Sequence, residues 1–297
     1  MPRAELSNGI ELEYETFGDP DDPTLLLVCG YTSQINGWDE GLVELLVAQG
    51  LHVVRYDNRD VGLSTKLDGQ HVQPLKVLRA SMDGEPLPEV PYTLSDMAAD
   101  GMGLLDHLGI DRAHVAGVSM GGMIVQTMAI EHPDRVASLT SVMSSPGDPR
   151  AGAPTPEARE ALMAPPPTER AAYIEAAERV TVWASKRYVD LAAIKERAAA
   201  DFDRMFYPEG ATRQLAAIYA SGDRSELLCE LDVPTLVIHG RDDTLITPSG
   251  GELTAERIRG SRLLLVSDMG HDLPKPLWPM LAEAIGGHAR VAGAAAA

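Results

Sequence analysis

The stretch HVAGVSMGGMIVQTMAI (114–130) carries one apolar run through three glycines and a single serine, Ser119, into a second apolar run. A strand that becomes a helix within so few residues has to turn sharply, and glycine supplies the room. Corners of this type serve one of two ends. They cradle a phosphate at a helix N-terminus, or they lift a nucleophile clear of the backbone. Both ends require alternating strands and helices around the corner, so this short segment already excludes all-helical and all-β chains.

The alternation is present on both sides. PTLLLVCG (23–30) and HVVRYDN (52–58) are short, nearly unbroken apolar runs, as expected of strands covered on both faces. GWDEGLVELLVAQG (37–50) has helical spacing and stops at Gly50. YTLSDMAADGMGLLDHLGI (92–110) predicts a helix capped by Thr93 or Ser95 and ended near Gly109. AHVAGVS (113–119) and VASLTSVMSS (136–145) predict two more strands, with a helix over 120–133 between them. Before all of these, Glu5-Leu6-Ser7 and Ile10–Tyr14 flank Asn8-Gly9, which predicts a hairpin with a two-residue turn.

The rhythm breaks at 146–230. That span opens on the Pro/Gly-rich GDPRAGAPTPE and then reads as three or four helices with no buried strand. It resumes with strands at PTLVIHG (234–240) and SRLLLVSD (261–268), a helix over 250–260, and a last helix from about Leu277 to Ile285. The expected organisation is one α/β core in two parts, 1–145 and 231–286, around a helical cap, 146–230. Residues 287–297 (GHARVAGAAAA) are expected to be a flexible tail. The sheet should be mostly parallel, with helices on both faces and its binding site at the carboxyl edge. Residues 67–91 form an extended excursion that could add a lid element.

Several function classes fall away. The formal net charge of −19 opposes binding to nucleic acid or to an anionic membrane surface. No apolar run has the roughly 18–20 residues of a membrane span, and the N-terminal segment lacks the apolar core of a signal peptide. Two cysteines, Cys29 and Cys229, cannot build a disulfide framework, so a reduced, cytoplasmic protein is expected. G-x-x-x-x-G-K-[ST] is absent, residues 117–122 read G-V-S-M-G-G where a dinucleotide loop needs G-x-G-x-x-G, and no H-E-x-x-H or paired C-x-x-C motif occurs. No cofactor and no metal are expected.

The nucleophile reading remains. Residues 117–121 match G-x-S-x-G, and side chains at 117 or 121 would collide with the crossing helix and strand. A serine hydroxyl needs a neighbouring base, which in turn needs an acid to hold it, in the chain order Ser, acid, His. Of eight histidines, only His271 lies in a loop directly after the last strand. The preceding strand ends at HGRDD, which offers Asp243 first and Asp242 second; Asp148, after the fourth strand of the alternating run, is a weaker alternative. The oxyanion donors are expected from the backbone N–H groups of Met120 and Tyr31, with Gly30 giving the loop its freedom. Met143, Trp183, Tyr188, Phe206, Tyr219, Met269 and Leu273, with Gly30, are candidates for an apolar substrate pocket.

The pieces LLLVCGY, YDNRDVGLS (56–64), GVSMGG, EHPDRV, PTLVIHGRDD and MGHDLP occur in the order found in the α/β-hydrolase superfamily, and from about Glu5 to Ile285 the chain resembles its members. FGDP, the following D-P-x-LLLV strand and HVVRYDNRDVGLST are similar to aclacinomycin methylesterases and related actinobacterial hydrolases. That resemblance implies an α/β-hydrolase fold and hydrolysis of a carboxylic ester, with the methyl ester of a bulky aromatic polyketide as the type of substrate. It also implies that Asp57 and Arg59 pin loops beside the site. The expected partner is a small-molecule ester, and the chain is expected to be a monomer or homodimer. Lactone or amide cleavage, acyl transfer, cofactor-free perhydrolysis and a non-catalytic ligand receptor remain alternatives at this stage.

Overall fold

The computed structural model describes residues 2–296. The chain runs through β1 (Arg3–Glu5), β2 (Glu11–Phe17), β3 (Thr24–Val28), α1 (Glu40–Val47), β4 (His52–Tyr56), α2 (Pro74–Asp83), α3 (Leu94–His107), β5 (Ala113–Val118), α4 (Met120–Glu131) and β6 (Val136–Val142). Five helices follow without an intervening strand: α5 (Pro156–Met163), α6 (Arg170–Ala176), α7 (Leu191–Arg204), α8 (Glu209–Ser221) and α9 (Ser225–Leu228). Then come β7 (Thr235–Gly240), α10 (Ser249–Arg257), β8 (Arg262–Val266) and α11 (Trp278–Ala296).

Eight strands form one sheet in the order β1-β2-β4-β3-β5-β6-β7-β8. The first two pairings are antiparallel and the rest parallel. β3 and β4 are buried along their whole length, as their apolar runs predict. Alternate residues then serve opposite faces. Leu26, Val28, Val54 and Val115 pack under α3 and α4, whereas Leu25, Leu27, Val53 and Ala116 pack under α1 and α11. Each such fully buried Val or Leu contributes roughly 1.5–3 kcal/mol, and this two-sided core fixes the strand register. The register aligns Tyr56, Val28 and Gly117 across neighbouring strands, then Val118 with Val142 and Val142 with Ile238. The loops that follow β3, β4, β5, β6, β7 and β8 therefore all leave from one sheet edge.

Local signals place the helix ends. Thr93 and Asp96 form a reciprocal capping box at the start of α3, and Gly109 leaves it at φ +70°. Two expectations are corrected. The hairpin loop has three residues, 7–9: Gly9 N–H donates to Leu6 O (3.0 Å), Leu6 N–H donates to Ile10 O (2.8 Å), and Gly9 takes φ +82°. This is a turn closed by a glycine bulge, which uses Asn-Gly one position later than a two-residue turn would. The expected flexible tail at 287–297 is helical as far as Ala296, and Ala297 lies outside the described residues. Ala289 packs into the core, Ala292 is buried, and the His288 ring donates to Pro234 O at 3.2 Å. Small size let these alanines approach the sheet closely, and their helix propensity is high. Among the described residues no helix is long and apolar enough to cross a membrane.

Candidate active site

Ser119 sits between β5 and α4 at φ +55° and ψ −120°, a conformation unfavourable for any residue with a side chain. Both flanking glycines are required by contact. A Cβ on Gly117 would stand 2.1 Å from the Gly121 carbonyl oxygen, and one on Gly121 would stand 2.2 Å from the Val28 carbonyl oxygen. The turn is tied down by its backbone: Ser119 N–H donates to Val142 O (3.0 Å) and Ser144 Oγ donates to Ser119 O (2.8 Å). The Ser119 hydroxyl makes no helix-capping bond and stands half-buried at the α4 N-terminus, where unpaired N–H groups favour developing negative charge.

After β8, the loop Asp268–His271 returns over the same edge. His271 Nδ1 lies 2.7 Å from Asp243 Oδ2 in the loop after β7. A carboxylate only accepts, so Nδ1 carries the proton and Nε2 is left free as a base. Asp243 is fully buried, and its other oxygen accepts from the N–H groups of Leu245 (2.9 Å) and Ile246 (3.0 Å). Burial alone would raise the Asp243 carboxyl. The charge of His271 and hydrogen bonds from His239 and His271 outweigh it, and the net displacement is downward, so the carboxylate stays ionised. His239 closes this cluster from below: its Nε2 lies 2.8 Å from Ile246 O and 3.4 Å from Asp243 Oδ2.

The other two acid candidates go elsewhere. Asp242 is exposed, and its backbone N–H donates to Met269 O. Asp148 is held by Arg150, whose hydrogen bonds bring its carboxyl down to about 2. Ser119 Oγ makes no hydrogen bond to His271 among the described residues. The imidazole–carboxylate half of the constellation is thus closed, and the hydroxyl–imidazole half is open.

The loop after β3 crosses in front of the serine. A Cβ on Gly30 would lie 3.2 Å from Ser119 Cβ. The N–H groups of Tyr31 and Met120 have no hydrogen-bond partner among the described residues. The Tyr31 phenol is pushed up to about 12 by burial, with Tyr219 adding to the effect. Cys29 below the loop is fully enclosed, its thiol also pushed up to about 12 by burial, and it donates to Gln34 O at 3.3 Å. Asp57 takes the Ile35 N–H (2.6 Å) and the Leu63 N–H (2.8 Å), and Arg59 makes a two-pronged pair with Asp100 at 2.6 Å. Both therefore pin loops at this edge.

Of the pocket candidates, Gly30 abuts Ser119, Tyr219 is near enough to Tyr31 to help raise its phenol, and Trp183 O accepts the His271 N–H at 2.7 Å. Met143 and Met269 are enclosed in the core, and Leu273 packs against the same cluster. Phe206 stacks on Phe202 (4.6 Å) beside Tyr173 within the helical insertion, and Tyr188 stands beside Arg187. Sequence reasoning missed Ser185, which grips Gly270 N–H (2.9 Å) and Asp272, and Gln214 and Arg204, which reach the loop after β3. No local pattern marks them, since each acts across the fold.

Residues 23–274 match the alpha/beta hydrolase fold family. The chain is 28% identical to rhodomycin D methylesterase DnrP of Streptomyces peucetius, over 98% of this chain and 99% of the relative. It is 27% identical to rhodomycin D methylesterase DauP of Streptomyces sp. (strain C5), over 95% and 96%. Among solved structures, the enol-lactonase from Burkholderia xenovorans superposes with a TM-score of 0.70 at 25% identity, covering 99% of this chain and all of that one. With its glycine-walled serine turn and its paired imidazole and carboxylate on one sheet edge, this chain belongs to the alpha/beta hydrolase fold family.

Proposed function

We propose that this protein is a serine hydrolase that cleaves a carboxylic ester through an acyl-enzyme. The observation that carries the reading is the 2.7 Å His271–Asp243 pair on the sheet edge that also bears the half-buried Ser119 turn. On this reading His271 Nε2 takes the Ser119 proton as Oγ attacks the ester carbonyl. The N–H groups of Tyr31 and Met120 receive the oxyanion, and His271 then gives the proton to the departing alcohol. Water repeats the sequence in reverse and frees the acid. Asp243 holds the imidazole tautomer and stabilises the imidazolium. Ser119 and His271 close to bonding distance when substrate fills the site, as apo catalytic contacts often do.

Residues 146–230 act as a cap between core segments 1–145 and 231–286. The likeness to rhodomycin D methylesterases favours a methyl ester on a bulky, apolar, polyketide-like acid. A second reading, lactone opening by the same residues, is favoured by the fold's match to an enol-lactonase. Ester and lactone panels are to be assayed with wild type and Ser119→Ala. A wild type no faster than the alanine variant on every substrate overturns the hydrolase reading. Stoichiometric labelling of Ser119 by a fluorophosphonate separates an enzyme from a ligand receptor, which would label slowly or not at all.

A further inference from the structure

We infer that Gln214, on α8 of the helical insertion, is a positioning residue that shapes the oxyanion loop. The helices over the sheet then set the rate of the chemical step as well as cover it. The inference rests on the ester-hydrolase reading above.

The loop from Cys29 to Asn36 has few means of holding itself. Its own backbone contributes a Ser33 N–H to Gly30 O bond of 3.2 Å and a Gly37 N–H to Gln34 O bond of 2.8 Å. Thr32 stands at φ +58°, which is costly for a β-branched side chain, so something outside the loop must hold it there. That something is Gln214, whose Oε1 accepts the Thr32 N–H at 2.9 Å. Gln214 is fully buried, and its Nε2 donates to Arg59 O at 3.0 Å. The amide cannot flip, because flipping would set N–H against N–H and carbonyl against carbonyl. The neighbouring Arg213 fixes the height of α8 through a two-pronged buried pair with Asp60, at 2.7 and 2.8 Å.

A second grip comes from α7. Gln34 Nε2 donates to Asp201 O (2.7 Å) and Met205 O (3.0 Å). Arg204 Nη1 bridges Gln34 Oε1 and Asp57 Oδ2, each at 2.7 Å. Tyr31 lies between Gly30, which abuts Ser119, and Thr32, which hangs from Gln214. Turning the Thr32 backbone therefore turns the adjacent peptide that carries the Tyr31 N–H. A misplacement on the order of 1 Å in such a donor costs about 100-fold in rate.

The test uses the full chain with Gln214→Leu and the same-sized Gln214→Glu. Leu removes both bonds, whereas Glu keeps an acceptor for Thr32 but sets a carboxylate against Arg59 O. Each variant is assayed for kcat and KM on a p-nitrophenyl ester, for inhibition by phenylboronic acid and benzoate, and for its thermal unfolding transition. Boronate forms a tetrahedral adduct on Ser119 and so reports the oxyanion site; benzoate reports ground-state binding. For Leu the expected result is a kcat lowered about 10- to 100-fold with KM within about 3-fold. Boronate inhibition should weaken by a similar factor, and benzoate inhibition should hold. A folded Leu variant whose kcat stays within about 2-fold of wild type overturns the inference, and so does equal weakening of boronate and benzoate by that variant. If Leu does not fold, Gln214→Met, which likewise gives up both bonds at nearly the same volume, decides in its place, and Glu, which keeps the Thr32 acceptor, is the control expected to lose less. Ser119→Ala separates the two claims: an active alanine variant sinks the ester reading itself, while an inactive one beside wild-type Gln214 variants sinks only this inference.

Discussion

The Ser119 turn and the Tyr31 loop face each other across one sheet edge, yet they are held by unlike means. The turn is held by what the core leaves no room for: Cβ atoms at Gly117 and Gly121 would meet backbone oxygens at 2.1 and 2.2 Å. The loop is held by side chains that reach it, Asp57 on Ile35 and Asn58 on Cys29 from the core and Gln214 on Thr32 and Arg204 on Gln34 from the helical insertion. Steric exclusion is local, absolute and indifferent to substrate. Side-chain tethers are long-range and adjustable. On the proposed reading, a fold built this way keeps its nucleophile constant while the helices above it vary the oxyanion site and the pocket together. The His271 loop belongs with the tethered group, since Trp183, Ser185 and Asp272 stitch it to the same insertion.

The largest effect should come from the excluded side. Gly121→Ala drives a methyl into the Val28 carbonyl, and backbone has to move to admit it. Loss of ester hydrolysis below detection is expected, with a stability loss of about 3 kcal/mol or more in denaturant unfolding. A Gly121→Ala protein with wild-type rate would break the comparison at its firmer end. Next is Asp243→Asn, for which kcat should fall by roughly 10⁴, because the imidazole loses the acceptor that fixes its tautomer. The same variant has a pH signature. The folded Asp243 carboxyl lies below its unfolded value, so its stabilising contribution is present above the unfolded pKa and is lost as pH falls through the folded one. Acid unfolding of Asp243→Asn should therefore lack that component.

This division also explains what the sequence discloses. The turn is legible because its reason lies within five residues and depends on glycine alone. Asp243 and His271 are legible because each follows a strand whose apolar run is plain, and parallel topology sends both loops to one edge. Thr32 and Gln214 are 182 positions apart, and a glutamine on an amphipathic helix reads as solvated until the fold buries it. The C-terminal alanines carry no amphipathic contrast, so their packing beneath the sheet leaves little mark in the pattern.

A milder break tests the tethered side. Gln34→Met removes the bonds to Asp201 O, Met205 O and Arg204 while keeping side-chain volume. About a 10-fold loss in kcat and a destabilisation of roughly 1–3 kcal/mol are expected, because buried partners lose their hydrogen bonds. Steady-state kinetics beside thermal unfolding would show whether rate falls further than stability predicts. If Gln34→Met matches wild type in kcat, α7 covers the loop without shaping it.

The smallest effect lies at the opposite end of β5, and it asks whether the core answers to pH apart from the site. His114 is buried against Ser138 Oγ at 2.8 Å. Burial, with His288 and Arg112 nearby, lowers it to about 4. Between that value and the ordinary value of about 6.5, the unfolded chain binds a proton that the folded chain refuses. Folding stability should thus be full above about pH 6.5 and decline as pH falls toward 4, by about 1–3 kcal/mol for this group. His114→Gln keeps a polar partner for Ser138 and removes the titration, so its unfolding midpoint should be flatter over the same interval. Because the strand carrying His114 leads straight into Ser119, the core account further requires that kcat per folded molecule be the same in wild type and His114→Gln across that range. A difference in kcat would mean that the amino end of β5 communicates with the turn by some route other than steric confinement.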